Sequence, residues 1–79
     1  KLDSKKRLLT ELDQLGFNNS KTLEELEKSY QINDVNQLIN NILMSYPSIE
    51  LILFNSNLLQ PIESIKDISV LIRNIEQVY

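Results

Sequence analysis

Carboxylates are the most numerous residues in this sequence that could do acid–base chemistry. The chain of 79 residues has seven Glu and four Asp, but no His and no Cys. Two carboxylates can act as acid and base when burial pushes their pKa values apart. Without His there is no imidazole base, and without Cys there is no thiolate nucleophile, disulfide or sulfur-ligated metal site. A catalytic site here would depend on clustered carboxylates.

The one dense carboxylate cluster comprises Glu24, Glu25 and Glu27 and lies between Lys21 and Lys28. Such a run on a short helix is typical of solvated surface charge, and we favour that interpretation over an acid–base site. The Asp residues are scattered, which excludes a calcium loop of alternating oxygen ligands. A single Gly cannot build a phosphate-binding loop. We therefore predict that the protein is not an enzyme and has no catalytic residues, no cofactor and no metal ion.

The charge balance also limits the partners. Eight basic and eleven acidic residues give a net charge of −3, which argues against a nucleic-acid partner. The one basic run, Lys5-Lys6-Arg7, is typical of a solvated helix face, and an anionic partner is the alternative. No window approaches 18 uninterrupted apolar residues, so we predict no membrane span. The lack of Cys is compatible with an intracellular protein.

Helical patterns begin near both ends of the chain. Leu8 and Leu12 have helical spacing in a segment at residues 4–15, with Ser4 as the predicted N-cap and Gly16 as the stop. Four Ile residues repeat at intervals of three, four and three near the C-terminus: Ile65, Ile68, Ile72 and Ile75. The repeat covers fewer than two heptads, so it favours a stripe that faces the core over a coiled coil.

Three capping patterns divide the middle of the chain. Thr22 with Glu25 and Ser64 with Asp67 predict two helix starts, and Asp34 with Gln37 predicts a third. The first of these helices should end near residue 30. The helix after Asp34 should end before Pro47, because the residue before a proline avoids helical geometry.

Residues 48–54 are ambiguous because they are apolar on all sides. They could form a buried strand, in which case the chain is an α/β fragment with a strand at 49–54. They could also form a two-turn helix that starts at Pro47 or Ser48. No convincing partner strand exists, and a strand needs one for its backbone groups, so we favour the helix.

The sequence thus predicts an all-α fold, a compact bundle of four or five short helices. We expect one domain over residues 1–79. The chain begins with Lys1 rather than Met, which indicates a fragment of a longer protein.

The most informative feature is a gap in the charge pattern. Fifteen of the 28 residues from Val35 to Ile62 are apolar, and Glu50 is the only charged one. Either the segment after Pro47 is a central element buried on every side, or one of its faces meets a partner. A small domain has difficulty enclosing a helix completely, so both interpretations stay open. The candidate partner-binding residues are Ile49, Leu51, Ile52, Phe54, Leu58 and Leu59. We expect a protein-interaction or assembly module whose partner is another protein or a second copy of the chain.

The chain resembles acyl carrier proteins in length and helix order. Gln14-Leu15-Gly16 is similar to the end of their first helix, and Ile62-Glu63-Ser64-Ile65 is similar to the start of their last. Their attachment Ser follows an Asp at the start of the long second helix, where this chain reads Asn33-Asp34-Val35. The resemblance implies, as an alternative function, a small carrier or ligand-holding bundle without the attachment serine.

Residues 12–43 resemble ubiquitin-associated domains. Leu15-Gly16-Phe17 is similar to their Met-Gly-Phe loop, and the helix after Asp34 is similar to their third helix. Leu replaces Met here, and the link before the third helix is about two residues longer. This resemblance implies protein binding.

Overall fold

All five segments with apolar patterns are helices. The computed structural model describes residues 2–17 and 22–78, and of Leu2 only the backbone. The helices are α1 (Leu2–Gln14), α2 (Leu23–Ser29), α3 (Ile32–Met44), α4 (Pro47–Asn55) and α5 (Ile65–Glu76). They make up 74% of the described residues, and none of those residues lies in a strand. The all-α prediction is confirmed, and the alternative with a strand at 49–54 is wrong. Pro47 is the reason, because its fixed φ suits the first turn of a helix.

Helix α5 organises the core. Its stripe is buried as predicted, with Ile68 and Ile75 fully enclosed. The helix packs against α1, α2 and α4, and buried residues of all five helices join one apolar cluster. The radius of gyration is 11.8 Å, close to the value of about 11.6 Å for a compact domain of this length. The Ile repeat therefore faces the core of the chain itself.

Gly16 ends α1 as predicted. Its φ of 91° lies in the left-handed region, which glycine enters without a Cβ clash. The Phe17 amide donates to the Leu12 carbonyl and the Gly16 amide to the Asp13 carbonyl, the two bonds of a Schellman motif. Phe17 is buried, and its ring lies 5.2 Å from that of Tyr30. The Tyr30 hydroxyl donates to the Leu15 carbonyl, so the end of α1 is fixed to the end of α2.

Two predicted helix starts are wrong, because both residues predicted as N-caps lie inside their helices. Ser4 lies inside α1, which already includes Leu2, and Asp3 places negative charge in its first turn. Helix α3 begins at Ile32, so Asp34 lies in the first turn and does not cap the helix. Packing explains the second error, because the half-buried Ile32 side chain lies against the core. An apolar contact at the helix start has prevailed over the local capping pattern.

The other two caps form as expected. The Glu25 amide donates to the Thr22 hydroxyl, and the Thr22 amide donates to the Glu25 carboxylate at 3.1 Å. At α5, the Asp67 carboxylate accepts from the Ser64 and Glu63 amides at 3.0 and 2.8 Å.

The link between α4 and α5 is irregular but anchored. The Asn74 side chain donates to the Leu58 carbonyl at 3.0 Å, and the Asn36 side chain donates to the Ile62 carbonyl. At its start, Asn57 adopts a positive φ of 59°. The Leu58 amide bonds to the Leu53 carbonyl, so α4 ends in a second Schellman motif with Asn in the glycine position.

Candidate interaction surface

Helix α4 lies at the surface with only one side in the core. Ile49 is 4% exposed and Leu53 is fully buried, and both pack into the apolar cluster. The helix contacts α3 on one side and α5 on the other. The interpretation that this segment is buried on every side is therefore wrong, and α5 has the central place instead.

The structure places three of the six candidate residues on the exposed side of α4. Leu51, Ile52 and Phe54 are 59%, 43% and 67% exposed, and together they form what we call the α4 face. Leu58 and Leu59 are half-buried and pack against the core from the link after α4. Ile49 lies in the core, on the opposite side of the helix from Leu51.

Helical geometry explains this division. Successive residues are about 100° apart around a helix, so Ile49 and Leu53 both lie about 160° from Leu51. With these two side chains in the core, Leu51 must point directly outward. Every exposed residue of α4 is uncharged, and Glu50 is half-buried. Apolar side chains thus occupy both sides of a helix that most proteins make polar on the outside.

Met44 is the residue that the sequence reasoning missed as a site candidate. It is 71% exposed at the end of α3, just before α4 begins. The signal was present, because Met44 falls off the stripe formed by Val35, Ile39 and Leu43, all of which are buried. The exposed residues Asn40 and Asn41 precede it on α3, so the uncharged surface extends beyond α4.

A charged groove lies where α1 meets the start of α4. It has a volume of about 570 Å³ and is lined by Asp3, Lys6, Arg7, Thr10, Glu11 and Tyr46. The Tyr46 hydroxyl donates to the Glu11 carboxylate. This hydrogen bond is the main reason that the pKa of Tyr46 is raised, with burial and the Glu11 charge adding to it and Arg7 opposing it. Two basic and two acidic side chains balance each other, so the groove has no net charge.

The basic run of the sequence is divided between two surroundings. The Lys5 ammonium donates to the Glu76 carbonyl at 2.6 Å, where it satisfies the C-terminal end of α5. Lys6 and Arg7 are exposed beside the groove. The run therefore does not present three cations on one surface.

In the part of the chain that the structure describes, the remaining chemistry-bearing residues show no assembled site. Glu24, Glu25 and Glu27 are all exposed on α2. Within residues 2–17 and 22–78, no three Asp or Glu side chains are close enough together to hold a metal ion. A cavity of about 30 Å³ beside α5, lined in part by Leu58 and Val70, has room for little more than a water molecule. Among the described helices, none has the length and apolar character needed to cross a bilayer.

Comparison with protein-family models, with curated proteins and with solved structures gave no match for this chain. The two family resemblances therefore rest on their short motifs alone. The Leu15-Gly16-Phe17 motif offers little surface to a partner, because Gly16 and Phe17 are buried. The Asn33-Asp34-Val35 motif lies in the first turn of α3, and Val35 is in the core.

Proposed function

We propose that this protein is a non-enzymatic interaction module that binds a protein partner through the α4 face. The observation that carries the proposal is the exposure of Leu51, Ile52 and Phe54 on one short helix whose other side is already in the core. Single exposed apolar residues are common on proteins, and Leu23 and Val70 are examples here. Several exposed apolar side chains close together mark interaction sites, and here three lie within four residues of one helix.

The energetics favour an interaction of modest strength. Complete burial of a large apolar side chain contributes about 1.5–3 kcal/mol, and these three are already partly covered. Association costs about 4–15 kcal/mol in lost freedom of motion. The α4 face alone therefore supports weak binding, and tighter binding needs Met44 or the surrounding uncharged surface as well.

The ligand-holding alternative has less support. An acyl chain needs an enclosed apolar pocket, and ligand pockets usually measure about 300–1,000 Å³. The groove beside Tyr46 has that volume, but four of its six lining residues are charged. The centre of the bundle is filled by side chains such as Leu8, Ile39 and Ile68. We therefore keep the interaction module as the proposed function.

Two charge substitutions on the α4 face test the proposal. Leu51→Asp and Phe54→Asp place a charge where a partner would exclude water, while the outward position of both residues spares the core. Leu23→Asp is the matched control, because Leu23 is 42% exposed at the first position of α2, where the helix dipole favours an acid. Circular dichroism would verify that each variant is folded.

The readout is covalent cross-linking in a cell extract, followed by mass spectrometry. We expect the wild type and Leu23→Asp to give the same cross-linked proteins, this chain included. Leu51→Asp and Phe54→Asp should give at least tenfold lower yields of these cross-linked products. Folded variants that keep the complete set of cross-links would show that the α4 face is not the binding surface.

A further inference from the structure

Five of the six exposed residues of α4 are arranged symmetrically about Leu51, and the sixth, Ile52, lies about 100° from it. The helix runs from Pro47 to Asn55, and Leu51 is its middle residue. Pro47 and Asn55 lie about 40° to either side of Leu51, and Ser48 and Phe54 lie about 60° to either side. All five are exposed. One flank of the surface thus contains Pro47 and Phe54, with the half-buried Glu50 at its edge. The other flank contains Ser48 and Asn55, with Ile52 at its edge.

This arrangement makes α4 complementary to itself in one orientation. When two copies of α4 pack antiparallel about a two-fold axis beside Leu51, the two Leu51 side chains meet. Phe54 of each copy then lies against Pro47 of the other, and Ser48 of each lies against Asn55 of the other. Apolar groups therefore meet apolar groups, and uncharged polar groups meet groups that can hydrogen-bond with them. In a parallel pairing, Phe54 would face Asn55 of the other copy and Pro47 would face Ser48. Each apolar residue would then meet a polar one.

The uncharged surface is compatible with the same partner. Each copy has a net charge of −3, which opposes self-association, and a contact surface without exposed charges adds no local repulsion to it. The exposed residues of α4 are neutral, and so are Asn40, Asn41 and Met44 on the adjoining end of α3. A distinct partner usually adds charge complementarity that steers the encounter, and this surface offers none.

We propose that the partner of the α4 face is a second copy of the chain, in a two-fold dimer with antiparallel α4 helices centred on Leu51. The inference rests on the proposed function. A nine-residue helix gives a small contact, below the usual 1,200–2,000 Å² of a stable complex. The dimer is accordingly weak, with monomer predominating at about 1 µM and dimer at about 1 mM.

Single cysteines test the orientation, because the chain has no Cys of its own. Packed helices lie about 8–10 Å apart, which brings facing Cα atoms within the range of about 4.4–6.8 Å that a disulfide needs. The protein is mildly oxidised at 0.5 mM, about 500 times the concentration of about 1 µM at which monomer predominates. Under these conditions Leu51→Cys should form a disulfide with Leu51→Cys of the second copy. A mixture of Ser48→Cys with ¹⁵N-labelled Asn55→Cys should give a mixed dimer at least tenfold faster than either variant alone. Leu23→Cys on α2 is the control for random collision.

Sedimentation equilibrium of the wild type completes the test. We expect the average mass to rise with concentration, and Leu51→Asp to remain monomeric. The mixed pair leaves Leu51 and Phe54 intact, so its result holds even where Leu51→Cys weakens the contact. Equal cross-linking of all the variants, or a wild type that is monomeric at 1 mM, would overturn the dimer. If the wild type is monomeric but still gives cross-links in an extract that Leu51→Asp removes, the proposed function stands and the dimer does not. If the wild type is monomeric and gives no such cross-links, both the dimer and the proposed function are overturned.

Discussion

Tyr46 connects the start of α4 to α1 through one side-chain hydrogen bond. Its hydroxyl donates to Glu11, and both side chains are half-buried. Tyr46→Phe removes the donor and keeps the ring. We expect a loss of about 1 kcal/mol in the free energy of unfolding, the usual value for one such bond. Urea denaturation at pH 7 measures this loss. Thr10→Ala is a comparison, because it removes a hydroxyl that forms a hydrogen bond at an exposed site on α1. Equal stabilities of wild type and Tyr46→Phe would show that the bond contributes nothing.

The same bond predicts a dependence on alkaline pH. The pKa of Tyr46 is raised in the fold, first by the hydrogen bond to Glu11. A raised pKa means that the neutral hydroxyl stabilises the fold, fully below the unfolded pKa of about 10 and progressively less as the pH rises through the folded pKa. The difference in unfolding free energy between wild type and Tyr46→Phe should therefore shrink above about pH 10. Parallel denaturation curves from pH 7 to above pH 10 measure it, and a constant or growing difference would refute the assignment.

Leu53 and Leu51 lie two positions apart on α4 and have opposite surroundings. Leu53 is fully buried, so Leu53→Ala should lower the free energy of unfolding by about 2–5 kcal/mol through lost contacts and a cavity. Leu51→Ala should change it by less than about 0.5 kcal/mol, measured at a concentration where the chain is monomeric. Thermal or urea unfolding of the pair gives the comparison. A large effect at Leu51 would mean that it belongs to the core of the monomer.

At the scale of the element, α4 ends on an unusual residue. Asn57 holds a positive φ that lets the Leu58 amide reach the Leu53 carbonyl at 2.8 Å. Left-handed geometry costs about 1–2 kcal/mol for most residues, and less for Asn or Gly. We expect Asn57→Ala to lower the unfolding free energy by about 1 kcal/mol, whereas Asn57→Gly should leave it nearly unchanged. Chemical denaturation of both variants separates the backbone effect from the loss of the amide side chain.

The elements differed in how far the sequence determined them. Helix α5 was predictable because the Ile repeat has a single apolar side, and the end of α1 was predictable because Gly16 has a local reason to be there. The start of α3 was not, because Ile32 gains from a distant core that local capping rules do not include. The orientation of α4 about its own axis could not be predicted from the sequence either. Apolar residues surround the helix, so only the packing of Ile49 and Leu53 against α3 and α5 decides that Leu51 faces outward.

At the scale of the whole molecule, the charges lie mostly on α1, α2 and α5, and the exposed residues of α4 are uncharged. Salt screens charges that are exposed, and its effect on a neutral contact is small. We expect the dissociation constant of the proposed dimer to change less than threefold between 0.05 and 0.5 M NaCl (about 14 and 4 Å of Debye length). Sedimentation equilibrium at the two salt concentrations measures it. A dissociation constant that falls by tenfold or more at high salt would show that repulsion between the acidic chains limits association.

The central place of α5 has a consequence for how the chain acquires its fold during synthesis. This helix is the last of the five to leave the ribosome, yet it packs against α1, α2 and α4 and supplies Ile65, Ile68, Leu71, Ile72 and Ile75 to the core. Until α5 emerges, the earlier helices lack the neighbour against which they pack, and their apolar residues face water. Native packing of the five helices therefore waits for α5, and a nascent chain stopped before residue 65 is the species most exposed to aggregation and to proteases.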